Sequence, residues 1–190
     1  MLIERRPTEN ELRDFTVTPE QWAAALRYYQ EHKNELIQAA AVFREKAVSH
    51  REPPFLVGAA AMVIEPNLPA GEYAIYEGYN FTPAPGTRPG REKRCAERNA
   101  LEAAEPQAKL IVSITTISKE IHTGDPTQAH DALHPCKECR LMFRDFLKKD
   151  LLREDSIICS ANDANKKIVT EERTLGQLLD LYPDDLEEQS

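Results

Sequence analysis

The chain has 190 residues, of which 41% are hydrophobic and 29% charged, enough for one domain with a sizeable core and short for two. Its net charge of -8 argues against a nucleic-acid footprint, which needs clustered Lys and Arg to hold phosphates, and favours a small-molecule partner. No apolar run approaches the roughly 20 residues of a membrane helix, and MLIERRPTENELRD lacks the apolar stretch of a secretory signal, so a cytoplasmic protein with four reduced cysteines is expected.

Residues 1 to 17 are acidic and without pattern, and read as an extension lying on the surface or partly disordered. Thr18-Pro19-Glu20-Gln21 has the form of a capping box with proline at the first helical position. No Gly or Pro occurs from Glu20 to Glu52, and Trp22, Leu26, Tyr29, Leu36, Ala40, Phe43 and Ala47 recur at three- and four-residue steps. Two helices with a break near His32-Lys33-Asn34 are expected.

FLVGAAAMVI and EYAIYEGYN, separated by a Pro-, Asn- and Gly-bearing connection, read as two strands of a hairpin. The loop FTPAPGTRPG then leads through the basic residues Arg88, Arg91, Lys93 and Arg94 into a helix over about Cys95 to Glu105. Such a basic loop is either a solvated surface or a landing place for an anionic substrate group. LIVSITTI, Leu110 to Ile117, is an unbroken apolar and β-branched run suited to a buried central strand. A polar loop with three histidines precedes PCKECRLMFRDFLKK, whose Met142, Phe143, Phe146 and Leu147 form the apolar face of a second core helix. SIICS and KKIVT read as short strands, and Thr174 caps a last helix with Leu175, Leu178 and Leu179 inward. Strands alternating with helices imply an α/β sandwich around a mixed sheet.

The cysteines carry the chemistry. Cys136 and Cys139 are spaced C-x-x-C at a helix start, and Cys95 stands at another. The partial positive charge of a helix N-terminus favours thiolate, the form that binds zinc. Three thiolates would leave a fourth position for water, as catalytic zinc sites do. A fourth protein ligand would close the site into a structural one; His134 is the nearest, with His122 and His130 behind it, although Pro135 makes H-P-C a cramped path to one metal. A redox C-x-x-C would not account for the distant third thiol. Cys159, in a strand without acidic or histidine neighbours along the chain, reads as a buried inert thiol.

Cys95-Ala96-Glu97 together with Pro135-Cys136-x-x-Cys139 resembles the zinc-dependent nucleobase deaminases. Cysteine as first ligand and Arg98 after the Glu point to the cytidine deaminase branch. Pro54 to Ala60 is similar to that family's P-F-x-V-G-A-A strand, Gly78-Tyr79-Asn80 to its G-x-N strand end, Arg140 to the arginine following its C-x-x-C, and TLGQLLDLYPDDL to its T-x-x-E-L-L-P-x-x-F ending. The sequence departs from the family where its sugar-contacting Glu falls at Thr82 and its S-P-C becomes His134-Pro135-Cys136.

The resemblance implies a cytidine-deaminase-like three-layer α/β/α sandwich with a five-stranded mixed sheet over a main domain, residues 35–190, and an extra, partly helical N-terminal extension, residues 1–34, which has no counterpart in the short family members. It implies Zn2+ held by Cys95, Cys136 and Cys139, with Glu97 as the catalytic proton shuttle. Phe55, Asn80 and Ala96 would contact substrate, and Arg98 would offset the negative charge of three thiolates. The implied reaction is hydrolytic deamination of a small cytosine-containing compound, such as cytidine, deoxycytidine or a modified cytosine nucleoside, by a homo-oligomer, tetrameric before dimeric. The alternatives are a deaminase of a nucleotide or other aminated heterocycle, and a catalytically silent zinc scaffold.

Overall fold

A computed structural model of the chain describes residues 15–50, 54–84, 93–108, 110–118, 134–163 and 168–183. Residues 1–14 of the extension, Arg88, Arg91, His122 and His130 lie outside the described residues.

Helix α1 (Pro19–Arg44) begins at the capping box: Thr18 Oγ1 accepts from the Gln21 amide at 3.2 Å, and Gln21 Oε1 accepts from the Thr18 amide at 2.8 Å. The break expected near His32-Lys33-Asn34 is absent, and one helix runs through it. The polar residues there are not loop formers. Tyr29, Gln30 and Lys33 lie on one face across successive turns and converge on the carboxylate of Glu172, at 2.9, 3.0 and 3.1 Å. With no Gly or Pro to interrupt the backbone ladder, that tertiary anchor keeps the helix continuous. Nor are residues 15–17 peripheral, since Val17 is buried and Phe15 packs on the core. Among the described residues no helix is long and apolar enough to cross a membrane.

Among the described residues the strands are β1 (Val48–Ser49), β2 (Val57–Ile64), β3 (Ala74–Tyr79), β4 (Phe81–Thr82), β5 (Leu110–Ser118), β6 (Ile157–Asn162) and β7 (Val169–Thr174). Among the described residues the remaining helices are α2 (Ala96–Ala104), α3 (Lys137–Lys148) and α4 (Leu175–Asp180). Five strands form one mixed sheet in the order β3-β2-β5-β6-β7, with the expected β2–β3 hairpin and β5 at its centre. Only β5 and β6 run parallel; the other neighbours are antiparallel. A separate two-residue parallel pair joins β1 to β4. Strand β7 continues four residues beyond KKIVT, to the Thr174 capping box of α4. Pro135 precedes α3 instead of opening its first turn, because Cys136 is the N-cap.

The sheet is covered on both faces. Tyr29, Leu36, Ala40, Met62 and Val112 pack between α1 and one face. Leu101, Ile111, Ile114, Phe143 and Leu175 fill the other, beneath α2, α3 and α4. This is the three-layer α/β/α sandwich with a five-stranded mixed sheet. Each face has a point of very close approach. A Cβ on Gly58 would lie 2.0 Å from Ala40 O of α1, and one on Gly78 would lie 2.1 Å from Ala96 O of α2.

The anchor of α1 is pH-dependent. Burial pushes the Glu172 carboxyl up, but the hydrogen bonds from Gln30, Lys33 and Tyr29 outweigh it and hold the group below its ordinary value. A carboxyl lowered in the folded state stabilises above its unfolded pKa, and that contribution is lost as pH falls through the folded pKa. Glu172→Gln is therefore expected to cost about 1–2 kcal/mol at pH 7. The difference in melting temperature from the parent should shrink as pH falls below the carboxylate range, which thermal unfolding at stepped pH checks.

Candidate active site

The N-termini of α2 and α3 meet. Cys95 is the N-cap of α2 and Cys136 the N-cap of α3, both extended and neither using its side chain as a cap, while Cys139 lies in the first turn of α3. All three thiols are free, with Cys95 Sγ 3.4 Å from Cys136 Sγ and Cys136 Sγ 3.5 Å from Cys139 Sγ. The three sulfurs lie within 4.8 Å of one another and form a group able to hold a metal ion. Ligands of a tetrahedral zinc at Zn–S of about 2.3 Å stand roughly 3.8 Å apart, so the donor set fits that face closely. The Cys136 thiol is pushed down by its contact with Cys139 first and then by that with Cys95. A divalent ion held by the three sulfurs would replace these close sulfur–sulfur contacts.

Two local devices aim this corner. Phe81 and Arg94 exchange backbone hydrogen bonds, each 2.9 Å, and thereby tie the residue before Cys95 to β4. The missing side chain of Gly78 lets the first turn of α2 lie directly on β3. An added methyl at Gly78 would meet Ala96 O, Ala100 N at 2.7 Å and Ala100 Cβ. Backbone cannot yield as a flexible side chain can, so α2 must lift. Gly78→Ala is expected to cost about 1–3 kcal/mol in stability and to weaken metal retention, read by melting and by metal analysis. The matching Gly58→Ala change on the opposite face should cost stability while sparing the metal.

Glu97, one residue inside α2, is only 9% exposed and faces a cavity of about 160 Å3 whose wall also carries Cys95, Cys136, Ala96, Phe55 and Asn80. Burial pushes the Glu97 carboxyl up to about 7, where it can both take and give a proton near neutrality. Asn80 is buried at the junction of two strands: its Oδ1 accepts from the Val57 amide at 2.7 Å and its Nδ2 donates to Phe55 O at 2.7 Å. The amide retains one N–H and one lone pair beyond these bonds. Asn80 thus fixes the Phe55–Val57 segment as one wall of the cavity while lining the cavity itself.

Arg98 follows Glu97, and its Nε donates to Glu102 at 2.7 Å, a carboxylate shared with Arg94 Nη1 at 2.9 Å. One acid of α2 therefore pairs with both guanidiniums. His134 is not placed as a metal ligand: Nδ1 meets the Tyr182 hydroxyl at 2.6 Å and Nε2 meets Glu171 at 3.1 Å. Cys159 is fully buried against the α1 face of the sheet, apart from the three-thiol group. Thr82 stands on β4 opposite Ser49 and supplies no carboxylate.

Sequence reasoning did not find Thr116 and Ser118, which line the cavity from the central strand. Their even spacing on β5 was the available signal, but an unbroken apolar run conceals which face looks toward the site. Nor did it find Asn99, whose Nδ2 donates to Tyr79 O at 2.6 Å and binds α2 to the end of β3. Lys93 and Arg94, read as parts of a basic loop, both border the cavity.

No protein-family model matches the chain, and no curated protein matches it in sequence. Solved structures do match. A cytidine deaminase from Burkholderia pseudomallei superposes with a TM-score of 0.53 at 21% identity, covering 76% of this chain and 94% of that one. A cytidine deaminase from Mycobacterium leprae gives 0.46 at 19% identity over 77% and 95% of the two chains. A dCMP deaminase from the cyanophage S-TIM5 gives 0.39 at 16% identity over 82% and 92%. The chain has the cytidine deaminase fold.

Proposed function

We propose that this chain is a zinc-dependent hydrolytic deaminase acting on a small cytosine-containing compound. The observation that carries the reading is the placement of three free thiols in a ligand-sized triangle, with Cys95 and Cys136 lining the same cavity as the buried Glu97. Cys95, Cys136 and Cys139 would hold the ion, which when bound supplies the Lewis acidity that makes water a usable nucleophile near neutral pH. Glu97 takes a proton from that water, passes it to the ring nitrogen next to the amine-bearing carbon, and assists departure of the amine as ammonia. Water adds across the ring C=N bond, the exocyclic C–N bond then breaks with the hydroxyl proton passing to the leaving amine, and a carbonyl remains. Arg98 offsets the excess negative charge of three thiolates on a divalent ion. Phe55 offers a flat apolar contact for the base, Ala96 lies beside it, and the unused N–H of Asn80 is available to a hydroxyl of the substrate. We place the protein in the cytoplasm as a homo-oligomer.

A second reading has its own observation. Lys93 and Arg94 border the same cavity, while the neutral Thr82 stands where the family's carboxylate is expected. That exchange of charge suits a substrate bearing an anionic group, such as a nucleotide. The test is ammonia release from cytidine, deoxycytidine, cytosine, CMP, blasticidin S and guanine, with zinc measured in the same sample. Turnover of cytidine or blasticidin S above CMP supports the first reading, and CMP above the nucleosides the second. A zinc-loaded protein that deaminates no cytosine compound overturns both.

A further inference from the structure

The wall of the cavity next to Cys136 is built by a network that the proposed chemistry does not use. His134 borders the cavity that holds Cys95, Glu97 and Cys136, and it also borders a small second space with Glu171, Arg173 and Leu178. The imidazole is thus a partition between the two. It is held from both edges, by the Tyr182 hydroxyl at 2.6 Å on Nδ1 and by the Glu171 carboxylate on Nε2. A carboxylate only accepts, so Nε2 carries the hydrogen, and in the neutral ring Nδ1 accepts from the Tyr182 O–H. Neither ring nitrogen remains for a ligand in the cavity.

Tyr182 is itself fixed. The Arg140 guanidinium stacks over its ring at 3.6 Å, and Arg140 Nη1 donates to Pro135 O at 2.7 Å. Arg144 Nη2 donates to Leu179 O and Tyr182 O, each at 3.3 Å, which seats the end of α4 against α3. The same tyrosine therefore grips His134 through its hydroxyl and, through Arg140, the carbonyl of the next residue. Pro135 has a restricted φ, so the three residues ending in Cys136 move together.

We propose that Tyr182 is a positioning residue for the substrate cavity: it locks the His134 ring as a cavity wall and, through Pro135, sets where Cys136 is presented. The inference rests on the deaminase reading for its kinetic consequence, but the lock itself is a property of the fold. Tyr182 borders no described part of the cavity, so it acts through His134. A non-ligating, immobile wall discriminates by shape, so its loosening weakens ground-state and transition-state binding alike. The signature is a raised KM at nearly constant kcat.

The test uses the full-length zinc-loaded chain and Tyr182→Phe, which deletes the hydroxyl and keeps the ring under Arg140. The 15N resonance of His134 Nδ1 is expected to shift, since it loses its donor, while the other histidines stay in place. With the compound that proves to be turned over, KM should rise about ten-fold, the loss of one modest hydrogen bond, with kcat and zinc content close to the parent. In a His134→Gln or His134→Ala background the Tyr182→Phe change should add nothing, because the coupling runs through the imidazole. An unmoved His134 resonance overturns the lock even if no compound is deaminated. An equal rise in KM with and without the imidazole overturns its action through His134. Failure of every compound in the presence of a shifted resonance instead overturns the deaminase reading and leaves the lock supported.

Discussion

Glu97→Gln should retain its zinc and release ammonia about 10²- to 10⁴-fold more slowly, the span that a single general acid–base group supplies. The substitution keeps the shape of the side chain and deletes only its capacity to carry a proton. Glu97 sits in the first turn of α2, where a carboxylate also favours the helix dipole, so loss of charge has a structural cost. Against this, burial already pushes the carboxyl up to about 7, and a neutral amide is spared the desolvation that causes the shift. Burial is the larger effect in this enclosed position, so the variant should melt no lower than the parent. Ammonia release, metal analysis and thermal unfolding on one preparation check all three statements. Activity within ten-fold of the parent would remove Glu97 from the chemistry and favour a zinc scaffold. Loss of zinc would give it a structural role in the metal corner.

What the sequence disclosed and what it concealed divide by the range of the interaction. The helix starts at Thr18 and Thr174 were legible because a capping box is complete within four residues. Cys95 and Cys136 could likewise be put at helix N-termini from their immediate neighbours. The continuity of α1 could not be read this way. His32-Lys33-Asn34 has the composition of a break, and only the partner Glu172, 143 positions beyond Tyr29, makes that stretch an anchored helix. Strand β7 was read too short for a related reason. Its charged residues 171–173 alternate between two polar jobs, Glu171 toward His134 and Glu172 toward α1, so the period of two is present without any hydrophobic contrast. His134 was weighed along the chain only as a possible ligand. Its partner Tyr182 lies 48 positions away, and no local pattern connects them.

Removal of one ligand tests whether the corner of α2 and α3 is held by metal at all. Cys136→Ser is expected to bring bound zinc to background and to abolish ammonia release, since two remaining thiolates cannot reproduce the three-sulfur face. Its effect on stability follows from linkage. A ligand present at a thousand times its dissociation constant contributes about 4 kcal/mol to the folded state, or roughly 8–16 °C in the melting temperature of a domain this size. A chelator should lower the melting temperature of the parent by a similar amount and leave that of Cys136→Ser unmoved. The control is Cys159→Ala, which removes a thiol that is fully buried yet lies outside the group of three. It loses packing and a hydrogen bond with Tyr29 on the far face of the sheet, and should keep zinc, turnover and the response to chelator. If Cys136→Ser and the parent respond alike to chelator, no metal bridges the two helix ends. The close approach of the three sulfurs would then be a packing feature held by the two helix caps, and Glu97 would face a cavity with no electrophile to serve.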